Sequence, residues 1–341
     1  SLLNSRTTSG NVAVGIQSLQ NATSSSQNTA VGFNAMQGRT TGGFTISGAN
    51  SVALGYRALQ SYTDGSNNTA VGFQAMFNAT TSKNSVAIGY GAGSGVTTND
   101  SYQGLTALGY QSGFNLANGS DYNTLLGYQA GYSNTTGSIN AIGDGALYSN
   151  TTGAGNVALG GGNNTALYPS LYANTTGNYN TAVGMGSLGQ NITASNLTAV
   201  GYQALYSNTG GANTAVGAQA LYSNTSGIYN TAIGGGVVGS NTGALGQNTT
   251  GQSNTAMGYG ALALNTTASN NTAVGYQAGY SNLTGVDVAY FGYQAGYGNT
   301  GDRNVAVGRG AMFATGAGSY NAVLGYGAMN SNTSGNNNTA L

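Results

Sequence analysis

The stretch Asn271-Thr-Ala-Val-Gly-Tyr-Gln-Ala-Gly-Tyr-Ser-Asn-Leu-Thr-Gly285 decides the fold, because versions of it recur along the whole chain. Its first glycine, Gly275, follows a pair of small apolar residues and sets the phase of the repeat. Most successive glycines at this position, the marker glycines, are 16 to 18 residues apart. A near-constant period of this kind is typical of a solenoid, in which each repeat packs on its neighbours. The marker glycines are Gly15, Gly32, Gly55, Gly72, Gly89, Gly109, Gly127, Gly143, Gly160, Gly184, Gly201, Gly217, Gly234, Gly258, Gly275, Gly292, Gly308 and Gly325.

Each repeat has three parts. A short alternating run such as Thr181-Ala-Val-Gly184 predicts a strand with one buried face. A second run, such as Tyr202-Gln-Ala-Leu205, predicts a second strand. A polar stretch such as Ser149-Asn-Thr-Thr-Gly153 consists of residues that favour turns. We therefore expect coils of about 17 residues, each with two strands around a thin core of Val, Ile, Leu and Ala.

These features predict an all-β fold, a parallel β-solenoid of about 18 to 19 coils that forms one domain over residues 1–341. Three longer repeats place extra residues in corner loops at 38–48, 161–179 and 235–253. Neutral insertion is the favoured interpretation of these loops, and they are also the best candidates in the chain for function beyond shape. The recurring asparagine before each strand, Asn180 for example, is consistent with a ladder of side-chain amides and equally with an ordinary turn residue, and the two are compatible. The segment Asp287-Val-Ala-Tyr-Phe291 lacks the usual Asn and Ala, which predicts locally altered packing.

Composition argues against most catalytic chemistry. The chain has 6 basic and 6 acidic residues, a net charge of zero, and no His or Cys. Neutrality gives no electrostatic basis for binding nucleic acid. Without His and Cys, the common metal sites and nucleophile–base pairs are excluded. Asp287 and Asp302, one coil apart, are the nearest to the carboxylate pair that glycosidases require. We therefore predict a protein that is not an enzyme and has no cofactor, unless covalent glycans are counted.

The motifs Asn84-Ser-Val-Ala-Ile-Gly89 and Asn50-Ser-Val-Ala-Leu-Gly55 resemble the YadA-like head repeat of trimeric autotransporter adhesins. The longer repeats are also similar to those of phage and bacterial tail-fibre proteins. The resemblance covers essentially the whole chain. It implies a left-handed β-roll, usually a homotrimer, that is displayed outside the cell or on a virion. The repeats here are longer than the usual head repeat of that family.

Aromatic residues recur directly after the marker glycine and again four residues later. If either column faced water along the chain, it would form a larger apolar stripe than monomers usually expose. We therefore expect these rings to take part in association between copies or to stack on a ligand. The residues of this prediction are Tyr56, Tyr90, Tyr128, Tyr202, Tyr276, Tyr293 and Tyr326.

Asn-x-Ser/Thr sequons recur at one phase in the polar corners. They are candidate N-glycosylation sites, although the same residues are also ordinary turn formers copied with the repeat. A glycan coat would cover the aromatic columns. The candidate sites are Asn134, Asn150, Asn191, Asn224, Asn265, Asn282 and Asn332.

The pattern as a whole favours a non-enzymatic extracellular fibre or adhesin, a stiff repeat rod for multivalent surface attachment. Its expected partners are further copies of the chain, with a trimer favoured, and a surface glycan or receptor. One alternative is an ice- or carbohydrate-binding solenoid; another is a tailspike-like glycan hydrolase. Threonine before Ala-Val, as at Thr69, exchanges with valine, as at Val86. That exchange indicates burial, which argues against ice binding.

Overall fold

The computed structural model describes residues 10–38, 45–96, 100–162, 168–314 and 316–341. It confirms the predicted fold class: the described chain is all-β, and its 19 strands belong to one parallel sheet. These residues include no helix, and therefore none that could cross a membrane. The strands are β1 (Val12–Val14), β2 (Thr29–Val31), β3 (Val52–Leu54), β4 (Thr69–Val71), β5 (Val86–Ile88), β6 (Thr106–Leu108), β7 (Thr124–Leu126), β8 (Ile139–Ile142), β9 (Asn156–Leu159), β10 (Thr181–Val183), β11 (Thr198–Val200), β12 (Thr214–Val216), β13 (Thr231–Ile233), β14 (Thr255–Met257), β15 (Thr272–Val274), β16 (Ala289–Phe291), β17 (Val305–Val307), β18 (Ala322–Leu324) and β19 (Thr339–Ala340).

The chain divides into two compact units, residues 1–178 and 179–341. The first unit holds β1 to β9 and the second holds β10 to β19. Within each unit, every strand pairs in register with the strand one coil away, as where Ala199 of β11 lies opposite Ala215 of β12. Equivalent residues of successive repeats therefore form columns, one residue per coil. The stacking predicted from the period is confirmed in each unit.

The strands turn alanine inward and their larger residues outward. Ala199 and Ala215 are fully buried, whereas Val216 and Ile233 are 36% and 38% exposed. The prediction that strand Val and Ile form the core is therefore wrong. The reason is that the second run of each coil sends a large side chain, such as Leu205, into the same interior. Only a methyl group then fits behind the strand.

The threonine column also lies on the outer face. The six threonines that begin β10 to β15 are half-buried, since side chains alternate along a strand and the alanine between takes the inner side. The interpretation of the Thr–Val exchange as core burial is therefore wrong. Either residue is accommodated because both are β-branched and suit a half-buried pleated surface.

The second run of each coil is not a strand, contrary to the prediction. It is a turn in which alternate residues are left-handed, as at Gln203 (φ 53°) and Leu205 (φ 51°). The backbone still bonds to both neighbouring coils: Gln203 N–H donates to the Met185 carbonyl, and Leu205 N–H donates to the Ala220 carbonyl. The coil-to-coil bonds and the burial of Leu205 offset the left-handed strain, which costs roughly 1 to 2 kcal/mol per residue.

The marker glycines are required at their position for two reasons. Gly275 has φ +138°, a conformation that L side chains rarely adopt. A Cβ at Gly275 would also overlap the carbonyl group of Gly292 in the next coil, with the carbonyl carbon 2.7 Å away. The column of marker glycines is therefore a line of direct backbone contact between coils.

Two of the predicted corner loops are shorter than expected. The Gly160 carbonyl accepts a hydrogen bond from Ser170 N–H, and the Gly234 carbonyl accepts one from Ala244 N–H. The regular coil therefore resumes by Ser170 and Ala244, so the inserted loops do not extend to the predicted ends at 179 and 253. Residues 163–167, in the loop predicted at 161–179, and residues 39–44, in the loop predicted at 38–48, lie outside the described residues.

The altered packing predicted near Asp287 is confirmed. Tyr290 takes the inward position that alanine holds in neighbouring strands and is fully buried. Two glycines make room for its ring, since a Cβ at Gly296 would lie 2.7 Å from the Tyr290 ring and one at Gly279 would lie 2.8 Å away. The Tyr290 hydroxyl donates to Asn299 Oδ1 at 2.8 Å. A large strand residue and a glycine in the second run therefore compensate each other.

Candidate functional site

The first aromatic column consists of the rings that directly follow the marker glycines. Neighbouring rings stack nearly parallel, with centroids 4.9 to 5.6 Å apart. Of the predicted residues, Tyr56, Tyr90 and Tyr128 join a six-ring stack in the first unit, and Tyr276 and Tyr293 join a three-ring stack in the second. The stacks are Phe33–Tyr56–Phe73–Tyr90–Tyr110–Tyr128 and Tyr259–Tyr276–Tyr293.

Two predicted tyrosines hold the same position outside these ring stacks. Tyr202 lies between coils that have Met185 and Ala218 at this position. Tyr326 is 79% exposed and lies beside Arg309, whose guanidinium carbon is 5.8 Å from the ring centroid. The other rings of the column are about half-exposed, as with Tyr293 at 46%. The column therefore presents ring edges and part of each face to solvent.

A second aromatic column lies four residues further along each coil, as the sequence predicted. Its ring centroids are 5.0 to 5.4 Å apart. It comprises Phe114–Tyr132–Tyr148–Tyr172 in the first unit, and Tyr206–Tyr222 and Tyr280–Tyr297–Phe313 in the second.

The outer strand face adds a third apolar column to the surface. We use this term for the outward side chains on either side of the inward residue of each strand. The residues that end strands β1 to β18 are large and apolar, and many are 36% to 42% exposed. No charged residue occurs in any of the 19 strands. The exposed members include Val31, Leu54, Ile88, Leu108, Ile142 and Leu159 in the first unit, and Val216, Ile233, Met257 and Phe291 in the second.

The polar corners hold a buried asparagine ladder. Asn150 Nδ2 donates to Asn134 Oδ1 at 2.8 Å, and the next coil repeats this bond from Asn174 to Asn150. Each amide also donates to a carbonyl of its own corner, as Asn150 does to Gly153 at 2.9 Å. Both amide hydrogens are therefore used, which satisfies a polar group that would otherwise be costly to bury. In the second unit the ladder runs through Asn208, Asn224, Asn248 and Asn265.

This geometry does not support N-glycosylation at six of the seven candidate sites. A glycan attaches to the side-chain amide nitrogen, and that nitrogen lies inside the folded coil. Asn332 is half-buried, and it alone of the seven retains access to solvent. The fully buried sites are Asn134, Asn150, Asn191, Asn224, Asn265 and Asn282. At these six positions the Asn-x-Ser/Thr motifs lie in buried turns, where asparagine also serves as an ordinary turn residue.

The asparagine before each strand is also buried, but its bonds differ from the predicted amide ladder. Asn213 Oδ1 accepts from the backbone N–H of Asn230 one coil later, at 2.8 Å. Asn213 Nδ2 donates to the Gly227 carbonyl at 2.7 Å. Most of this column therefore bridges side chain to backbone. Direct amide–amide bonds occur in it at Asn304, Asn321 and Asn338.

Glutamine ladders, which were not predicted from the sequence, flank the first aromatic column. Gln294 Nε2 donates to Gln277 Oε1 at 2.9 Å, and Gln219 donates to Gln203 at 3.0 Å. The signal was present, because glutamine recurs two residues after many marker glycines. These amides hold successive coils together at the base of the rings.

Each carboxylate of the pair that the sequence predicted, Asp287 and Asp302, makes a contact within the polar corners. Asp287 pairs with Arg303 at 3.5 Å, and Asp302 accepts a hydrogen bond from Val286 N–H at 3.0 Å, so the predicted nearest carboxylate pair is engaged in corner contacts. Burial raises the pKa of Tyr62 to about 12, against hydrogen bonds from Ser51 and Asn68 that lower it. Buried tyrosines of this kind are neutral hydrogen-bonding groups at physiological pH.

The described residues contain no group of three or more His, Cys, Asp or Glu that could hold a metal ion. No protein-family model matches the chain, and a comparison with curated proteins gives no match. The similarity to YadA-like head repeats and tail-fibre repeats therefore remains a resemblance of motifs.

Proposed function

We propose that the chain is a non-enzymatic structural protein, an extracellular fibre or adhesin displayed on a cell or virion surface. The observation that carries this proposal is the repetition of the same outward side chains in register, coil after coil, in each unit. Such a surface offers one weak contact many times over. Linked weak contacts add by avidity, so a repeat surface can attach firmly without any single strong site.

The partner proposed first is another copy of the same chain, with a trimer favoured. The outer strand face supports this, because it exposes an apolar side chain in most coils and carries no charge. Exposed apolar patches of this extent are typical of interaction surfaces. A second copy would present the same column at the same coil spacing, so its side chains would match coil by coil. The neutral strand face would also place no like charges against each other.

We expect the wild-type chain to have a solution mass that is a multiple of 33.7 kDa, three-fold for the favoured trimer. Replacing Val216 and Ile233 together by lysine should shift that mass to the single chain. Burying two uncompensated ammonium groups costs several kcal/mol per ion, whereas the same groups are solvated in the free coil. Sedimentation equilibrium with and without chemical crosslinking measures the mass directly.

The matched control is Tyr229→Lys, at a corner position that is 65% exposed and away from the strand face. It should leave the oligomer unchanged. A wild-type chain that sediments as a monomer at all concentrations would contradict association through this face. Equal effects of the control and of the double variant would show that added charge alone, at any position, disperses the oligomer.

A second candidate function is ice binding, which the outward threonine column favours. Six successive strands of the second unit begin with threonine on the outer face, each three residues before a marker glycine. A flat sheet with regular hydroxyl and methyl groups suits a lattice-like ligand. If this is the function, the protein should show thermal hysteresis at micromolar concentration, and Thr214→Lys with Thr231→Lys should abolish it. Absence of hysteresis in the wild type removes this candidate.

A further inference from the structure

An open groove of about 200 Å³ lies between the two aromatic columns in the last coils of the second unit. Its walls are Tyr293, Arg309 and Tyr326 on one side, and Phe313 and Asn330 on the other. Pockets for drug-sized molecules are roughly 300 to 1,000 Å³, so this groove suits one small ring.

The groove exists because the glutamine ladder stops there. Gln277 and Gln294 fill the space between the columns in the two preceding coils, and the next two coils have Gly310 and Gly327 at this position. No atom of the neighbouring coils lies within 4 Å of where a Cβ would stand at Gly310. At Gly260, by contrast, a Cβ would lie 3.2 Å from the side chain of Gln277. Because no neighbouring side chain has moved into the space that a glutamine would fill, the slot at Gly310 is open.

The end of the ladder leaves an acceptor at the edge of the slot. Gln294 donates through Nε2 to Gln277, which directs its Oε1 toward the next coil. In the other ladders that oxygen accepts the amide of the following glutamine, as Gln203 Oε1 does from Gln219. Gly310 supplies no such donor. A ligand hydroxyl can take the vacant place and bond to Gln294 Oε1.

Arg309 supplies a fixed positive charge at the same place. It occupies the ring position of the first aromatic column, with its guanidinium carbon 5.3 Å from the Tyr293 centroid and 5.8 Å from that of Tyr326. Stacking holds the plane of the guanidinium group and leaves its N–H edge available. In the part of the chain that the structure describes, the ion pair is Arg303 with Asp287, and no carboxylate there engages Arg309.

We propose that this groove binds a carboxylated sugar ring, such as a uronic acid unit of a surface glycan. The carboxylate would pair with the guanidinium edge of Arg309, which matches carboxylate geometry in a bidentate manner. One face of the ring would pack on the face of Phe313 that Tyr297 does not cover, and a hydroxyl would donate to Gln294 Oε1. This site deepens the adhesive part of the proposed function and rests on it, because it names the ligand class that the surface would hold.

The test uses saturation-transfer NMR and titration calorimetry on the full chain, with methyl β-D-glucuronide as the probe. We expect the glucuronide to bind at millimolar concentration and the neutral methyl β-D-glucoside at least about tenfold more weakly. Gly310→Gln should abolish binding by extending the ladder into the slot. Glutamine fits that backbone, since Gln294 has φ 54° and Gly310 has φ 62°. Arg309→Tyr should weaken binding of the glucuronide by about tenfold and leave the glucoside unaffected.

The matched control is Arg57→Gln. Arg57 also stacks beside the first aromatic column, 5.1 Å from the Tyr56 centroid, but lies outside the groove. It should bind the glucuronide as the wild type does. Equal binding of the two sugars, retained binding in Gly310→Gln, or no binding by the wild type would each overturn the site. Sedimentation of the same samples reports association separately, so a failed sugar site and a failed fibre proposal give different results.

Discussion

Replacing Gly275 by alanine is expected to destabilise the second unit by about 3 to 5 kcal/mol, among the largest effects of any single methyl group in this chain. Backbone strain at a non-glycine residue costs of order 1 to 3 kcal/mol, and overpacking adds typically 1 to 3 kcal/mol. Gly275 has φ +138°, and the added methyl would overlap the backbone of Gly292. Because the obstructing atoms are backbone, relief requires the two coils to separate.

The loss should appear first in the coils on either side of the substitution. Each coil contacts only its neighbours, so a weakened interface opens locally before the unit unfolds. Hydrogen exchange of the amides of β15 and β16 therefore measures the effect, together with denaturant unfolding followed by circular dichroism. Gly310→Ala is the control, since φ is 62° there and nothing lies within 4 Å of the new methyl. If Gly275→Ala lowered the stability no more than Gly310→Ala does, the coils would not be in direct contact through their marker glycines.

The second large effect on stability concerns Tyr290 and Gly296, a large and a small residue that together fill one part of the coil interior. Tyr290→Ala should cost about 3 to 5 kcal/mol, as for other large-to-small substitutions of buried rings. Gly296→Leu should be comparably harmful alone, because its Cβ already lies 2.7 Å from the Tyr290 ring. The double variant Tyr290→Ala/Gly296→Leu should recover at least half of the summed loss. It recreates the usual coil, in which Leu262 fills the interior at φ 50°.

A double-mutant cycle measures this coupling directly. Contacting residues typically show coupling energies of 0.5 to 3 kcal/mol, and we expect about 2 kcal/mol or more in the favourable direction. Guanidinium titration of the four proteins gives the required free energies of unfolding. Leu125, which is flanked by Gly113 and Gly131, offers a second place where the same exchange occurs. If the losses of unfolding free energy were strictly additive at both places, the side chains of the strand and of the second run would not be sharing one fixed interior volume.

The sequence was sufficient to predict the period, the parallel in-register stacking and the all-β class. Repeated glycines fix the phase, and equal lengths of chain between them leave few ways to stack. It did not reveal which strand face is buried. A strand of alternating Ala, Thr and Val could bury either face. Which face is buried depends on Leu205 and its equivalents in the second run, because they fill the interior behind the strand. Alternate residues of the second run have a left-handed backbone, a conformation that is expected mainly of glycine and asparagine and not of leucine.

The candidate sites divide in the same way. The alignment of the first aromatic column could be predicted because its spacing from the marker glycine is constant, and ring stacking then follows from the coil repeat. The role of these rings in association or ligand binding stays a prediction. The sequons were ambiguous, because Asn-Thr-Thr-Gly is both a glycosylation signal and a turn. Only the structure shows that Asn150 is buried with both amide hydrogens bonded. The groove beside Arg309 depends on two residues that lack side chains, and a gap of that kind is visible only in three dimensions.

The amide ladders give each unit a net alignment of side-chain dipoles along the direction in which its coils stack. In the corner column every later coil donates to the earlier one, from Asn174 to Asn150 and from Asn150 to Asn134, and the glutamines point the same way. Their dipoles therefore add instead of cancelling, as peptide dipoles do in a helix. A coil that joined such a stack upside down would set carbonyl against carbonyl at each ladder. A second copy stacked end to end on such a column would therefore continue the ladders only in the head-to-tail sense, so the column is polar even though the net charge of the chain is zero.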